Sequence, residues 1–386
     1  QARAASRKAM DLIDKADPWA RALIRAMAAR YPDDGSQAAT GAYAEAMARA
    51  ASEHQNDPDI ATLYAESLMM HRPWNLYREN GEPYPETGKA IETMKPVVKK
   101  ATRHPGACHL YIHLMEAWKP EKSEACADVI SKIVPGVAHM QHMPSHIYVH
   151  TGRYGDAVRS NQNALQVVQA AEYGEGIVVY PGHNLAMLVF SAWLDGQSAV
   201  AFSAASDVAD TYHGGAYTVD LQLARFGRWE ELLARSVQPE KGLGKALTLF
   251  ARGLAHLRTD SRETAAVLLN EIRTTREETP EDATFMLFDY PERDLLGIAE
   301  NILAGEILAA RGNYEDAETA LRKAVTLEEG LPYGEPEPWP IPPRHVLGAV
   351  LLEAGRPREA EEVYRASLEV RPDNGWSLKG LTQSLE

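Results

Sequence analysis

A short turn signature recurs along the chain and restricts it to one kind of architecture. It stands as Gly152-Arg-Tyr154-x-x-Ala157, Gly227-Arg-Trp229, Gly312-Asn-Tyr314-x-x-Ala317 and Gly355-Arg-Pro357-x-x-Ala360. The Gly accepts the left-handed backbone that ends a helix, the aromatic wedges between two helices, and the small Ala lets the next helix approach closely. With weaker copies around Gly196 and Asp260, turns fall at 152, 196, 227, 260, 312 and 355. Punctuation of this kind predicts an all-α fold, an α-solenoid of about ten helical hairpins wound into a right-handed superhelix. The uneven spacing predicts inserted loops at 172–182, 276–294 and 330–343, each joining the second helix of one hairpin to the first of the next.

Upstream, residues 3–16, 18–30 and 36–54 alternate apolar and charged residues at helical spacing, and Asp17-Pro18 and Asp57-Pro58 open helices. Residues 74–88 form a long connection rich in aromatics and Pro, of the sort that serves as a lid, with Trp74, Tyr77 and Tyr84 available to roof a groove. The first residues enter in mid helical pattern, which suggests sequence upstream. Motif content divides the chain into helical hairpins and an aromatic loop at 1–88, His-rich units at 89–200 and further hairpins at 201–386.

A net charge of -14 with no basic run argues against nucleic acid as a partner. No stretch approaches the ~18 apolar residues of a membrane span. A Gly-rich nucleotide loop, a Gly-x-Ser-x-Gly elbow and a Cys-x-x-Cys pair are all missing; Cys108 and Cys126 sit on neighbouring expected helices and make no disulfide framework.

The chemistry-bearing residues concentrate between His109 and His183. His109-x3-His113 and His142-x3-His146 each place two imidazoles on one helix face, and the second pair repeats the first close to the hairpin period. Histidines that recur in register sit at equivalent places on adjacent parallel helices. His139 precedes the second pair, and counting back from Gly196 as His139 counts back from Gly152 lands on His183. Imidazole is the common neutral ligand of zinc, copper, iron and nickel, so His109, His113, His139, His142, His146 and His183 are candidate metal ligands. Glu116 and Glu66 are candidates to orient an imidazole or act as a base. His150, beside a turn, reads as surface; His71, His104, His213, His256 and His345 stand alone and read as structural or solvent-facing.

The segments His104-Pro-Gly-Ala-Cys-His-Leu-Tyr-Ile-His-Leu-Met-Glu116, Pro135-Gly-Val-Ala-His-Met-Gln-His-Met-Pro-Ser-His-Ile-Tyr148 and Tyr180-Pro-Gly-His-Asn184 resemble those of a largely uncharacterised bacterial group of tetratricopeptide-repeat proteins. The hairpin signature is the tetratricopeptide pattern, with its best copies at 302–328 and 345–372. The resemblance covers roughly residues 20–200 and implies that His109, His113, Glu116, His139, His142, His146 and His183 belong to the group's pattern.

Three functions are compatible with these residues. Many imidazoles and few carboxylates suit a dicopper oxygen-activating centre in the concave groove, hence a metal-dependent oxidoreductase acting on a small organic substrate. A zinc- or iron-dependent hydrolase or lyase is the second, with Glu116 or Glu66 as base. The third is a non-catalytic scaffold that binds a peptide, although such grooves favour Lys, Arg and Asn over His.

Overall fold

The computed structural model describes residues 1–32, 38–171, 173–174, 176–211, 215, 217–236, 241–285 and 289–386. His213, the start of the 36–54 segment and parts of the loops at 172–182 and 276–294 lie outside them. The fold is all-α, built of successive packed helices, and it divides into two compact units, residues 1–136 and 137–386.

Unit 1 consists of α1 (Ala2–Asp11), α2 (Pro18–Arg30), α3 (Thr40–Glu53), α4 (Pro58–Met69), α5 (Pro85–Lys100), α6 (Pro105–Met115) and α7 (Glu124–Ile133). The expected helix over 3–16 stops at Asp11 and a single 3-10 turn follows. Asp17 and Asp57 are the N-caps that the Asp-Pro pairs predicted: their Oδ1 atoms accept from Ala20 N–H at 2.8 Å and Ile60 N–H at 2.9 Å. Asp57→Ala is expected to lower stability by about 1 kcal/mol, read by chemical unfolding of the full chain. A loss within experimental error would mean that the cap contributes nothing.

Unit 2 consists of α8 (Ala138–His142), α9 (Pro144–Tyr148), α10 (Tyr154–Ala171), α11 (Pro181–Leu194), α12 (Ser198–Thr211), α13 (Tyr217–Arg225), α14 (Trp229–Ala234), α15 (Gly242–Arg258) and α16 (Arg262–Glu278). After a two-stranded ladder, β1 (Thr284–Phe285) with β2 (Tyr290–Pro291), come α17 (Glu292–Ala309), α18 (Tyr314–Glu329), α19 (Pro343–Glu353), α20 (Pro357–Val370) and α21 (Gly375–Leu385). Successive helices pack pairwise, and one hydrophobic cluster runs from Val158 to Tyr364. The chain takes the left-handed conformation at all six expected turns, with φ from 68° to 76° at Gly152, Gly196, Gly227, Gly312 and Gly355 and 59° at Asp260. Among the described residues no helix is long and apolar enough to cross a membrane.

Unit 2 also folds back on itself. The Tyr154 hydroxyl donates to the Pro372 carbonyl at 2.6 Å. A Cβ at Gly152 would lie 2.9 Å from that same oxygen, so this turn needs Gly for space as well as for φ. Trp376 packs against Trp193 with ring centroids 6.5 Å apart, and the Arg225 guanidinium lies over both rings at 3.9 Å and 4.5 Å. Burial pulls the Arg225 pKa down to about 9, and cation–π attraction to the two indoles offsets part of that cost. Segments late in the chain are thereby held against the hairpins that carry His146 and His183.

Candidate metal centre

In unit 1, α6 starts at His104, whose Nδ1 accepts from Ala107 N–H at 3.1 Å while its Nε2 meets Asp59 at 3.0 Å. This lone histidine is therefore structural. On the same helix the His109 and His113 rings meet edge to face at 4.9 Å, and His113 Nδ1 lies 2.8 Å from the buried Glu116 carboxylate. Glu116 thus orients one imidazole of the pair. Glu66 is engaged differently: it accepts from the Tyr43 hydroxyl at 3.1 Å and faces Arg30 at 3.7 Å. Burial, then the Glu66 charge, pushes the Tyr43 phenol up. In the aromatic loop, Tyr77 donates to the Leu114 carbonyl at 2.6 Å, Tyr84 lies under Arg72 and Arg78, and Trp74 is exposed. Cys108 and Cys126, on neighbouring helices as expected, are both buried free thiols.

In unit 2 the second pair does not sit on one continuous helix. Pro144 has no N–H to continue the ladder, so α8 ends and α9 begins at Met143 and Pro144. Even so, His142 Nε2 and His146 Nε2 approach to 2.6 Å. His183, in the first turn of α11, brings its Nε2 to 3.5 Å from that of His146. One nitrogen from each of the three lies within 4.8 Å of the others. His142 and His146 are essentially inaccessible to solvent. The His139 ring stacks on that of His142 at 5.8 Å and meets Tyr180 edge-on.

Two residues that sequence reasoning missed flank the pair at its other ring nitrogens. Asn161 on α10 donates its amide to the Ala157 carbonyl at 2.9 Å, which turns its Oδ1 toward His142 Nδ1 at 2.7 Å. An amide oxygen only accepts, so His142 is protonated at Nδ1. Glu335, from the loop between α18 and α19, places its buried carboxylate 3.2 Å from His146 Nδ1, at ion-pair distance. With its Nδ1 donating, neutral His142 turns an Nε2 lone pair toward His146 Nε2. At 2.6 Å the two nitrogens share either a proton or a cation. Asn161 carried a weak signal, as an amide four residues after Ala157 on the face that the turn signature buries; Glu335 carried none beyond being a charge in an apolar, Pro-rich loop.

His150, expected at the surface, is partly buried against Tyr333 with ring centroids 6.2 Å apart, and burial lowers its pKa. The same inserted loop that delivers Glu335 covers it. His345 is structural: it is buried, bonded to the Ser377 hydroxyl at 2.9 Å, and held neutral by burial and Arg225.

The comparisons bear on the scaffold. Residues 297–373 match the tetratricopeptide repeat family. The chain carries tetratricopeptide repeats there. The match encloses both hairpins whose turn signature was read as best preserved. No curated protein matches the chain. Among solved structures it is similar to a tetratricopeptide repeat protein from Parabacteroides merdae (12% identity over 91% of this chain and 99% of that one, TM-score 0.39). It is also similar to yeast Tom70 (12%, 96% and 64%, TM-score 0.35) and to the APC/C hetero-tetramer Cut9-Hcn1 (12%, 98% and 59%, TM-score 0.36). This chain therefore spans 59% of the length of the Cut9-Hcn1 chain it matches.

Proposed function

We propose that this tetratricopeptide-repeat scaffold holds a transition-metal ion on the Nε2 atoms of His142, His146 and His183. The observation that supports the reading is the convergence of the three Nε2 atoms, with His142 held by Asn161 at its other nitrogen and the Glu335 carboxylate 3.2 Å from that of His146. Three nitrogen donors with oriented imidazoles suit zinc or copper, and copper binds such donors more strongly. A three-imidazole centre leaves a position for water or substrate, the arrangement of hydrolytic zinc and oxygen-activating copper sites. Catalysis on a small organic substrate is the finer form of the proposal. In unit 2 the chain supplies binding through the three imidazoles, and orientation through Asn161 and Glu335.

Elemental analysis of the purified full chain tests the proposal. About one zinc or copper per chain is expected, together with a melting temperature that falls when a strong chelator removes it. Trace metal only, with melting unchanged by chelator, would mean that a shared proton bridges His142 and His146. The second reading, a scaffold that binds a peptide without catalysis, is favoured by the family match at 297–373, and that outcome would leave it standing.

A further inference from the structure

The geometry points to the loop at 330–343 as part of this centre, with Glu335, Gly334 and Tyr290 as positioning residues that set how tightly the metal is held without touching it. The inference rests on the three-imidazole reading and deepens it. The loop is anchored at both ends of its apolar stretch. Trp339 is fully buried, donates its indole N–H to the Ile341 carbonyl at 2.7 Å and packs on Phe250 of α15 with centroids 5.4 Å apart. Tyr333 packs on His150, one helical turn beyond His146. Between these anchors Glu335, itself buried, reaches His146 Nδ1.

Gly334 is what lets it do so. A Cβ at this position would lie 1.2 Å from the Tyr290 hydroxyl oxygen and 2.5 Å from the ring carbon that bears it. Tyr290, at the start of β2, is 1% exposed. Any side chain at 334 must therefore displace either the phenol or the loop, and displacing the loop draws Glu335 away from His146. The carboxylate matters because a metal-bound imidazole that donates its other N–H to an anion is a more basic ligand and is held in one orientation. A residue near the end of the chain thus governs a ligand near the start of unit 2. Metal binding and docking of the loop are one equilibrium.

Cobalt(II) titration of the full chain, followed by its visible absorption, tests this in wild type, Glu335→Gln and Gly334→Ala. Glu335→Gln keeps shape and removes charge. It is expected to keep the stoichiometry, weaken affinity about tenfold to a hundredfold and shift the cobalt band, while the metal-free protein melts close to wild type. Gly334→Ala is expected to weaken affinity in the same direction, and Gly334→Ala/Tyr290→Ala to recover part of it. In wild type, cobalt is expected to slow hydrogen exchange in residues 330–343. Unchanged affinity and spectrum in Glu335→Gln would overturn the inference while leaving the three-imidazole reading intact. No cobalt binding by wild type would overturn that reading, and this inference with it.

Discussion

His142→Ala is expected to abolish metal binding and to remove the effect of chelator on melting. His142 is fully buried, donates to Asn161 through one nitrogen and faces His146 through the other, so the loss of its ring removes an oriented ligand. A ligand that binds only the native state adds RT ln(1 + [L]/Kd), about 4 kcal/mol at a thousandfold excess over Kd. The variant loses that contribution outright, and leaves Asn161 Oδ1 without its donor. His142→Ala is therefore compared with wild type in both metal-loaded and metal-free form. Coinciding melting curves for the two forms of the variant, against separated curves for wild type, are the expected result; full metal content in the variant would show that the ligands are elsewhere.

The second large effect is expected from Trp339→Ala. Deleting a fully buried Trp from a core costs about 3–5 kcal/mol, and Trp339 packs on Phe250 and ties its own loop through Ile341. Because this loop carries Glu335, the variant is expected to lose metal affinity in addition to stability. Chemical unfolding measures the first and cobalt titration the second. A loss below about 1 kcal/mol would mean that the loop is not anchored through this side chain.

The fold was legible because its punctuation is local. A Gly at a helix end readily takes positive φ, and the expected turns do so from Gly152 to Gly355; Asp260, the weak copy, takes the same conformation without Gly. The Asp-Pro caps were legible for the same reason. The histidine cluster was legible only in part. The i, i+4 spacing that singled out His142 and His146 assumed a continuous helix, and Pro144 breaks it; the two nitrogens still converge because α8 and α9 both pack on α10. His183 was found by counting from a turn, since the hairpin period carries over from one unit to the next. Glu335 could not be found that way. It reaches His146 from an insertion, where no period applies, and its position follows from how Trp339 and Tyr290 pack. The same insertion partly covers His150, which its own neighbours in sequence placed at the surface. The first pair, His109 and His113, keeps its helical face in unit 1 and is oriented there by Glu116.

The most direct measurement is diffraction from crystals of the full chain, grown with zinc or copper and collected at the absorption edge of that metal. The account predicts an anomalous peak about 2.0–2.1 Å from the Nε2 atoms of His142, His146 and His183, with Glu335 still on Nδ1 of His146. No peak there, with the two Nε2 atoms still in contact, would contradict it.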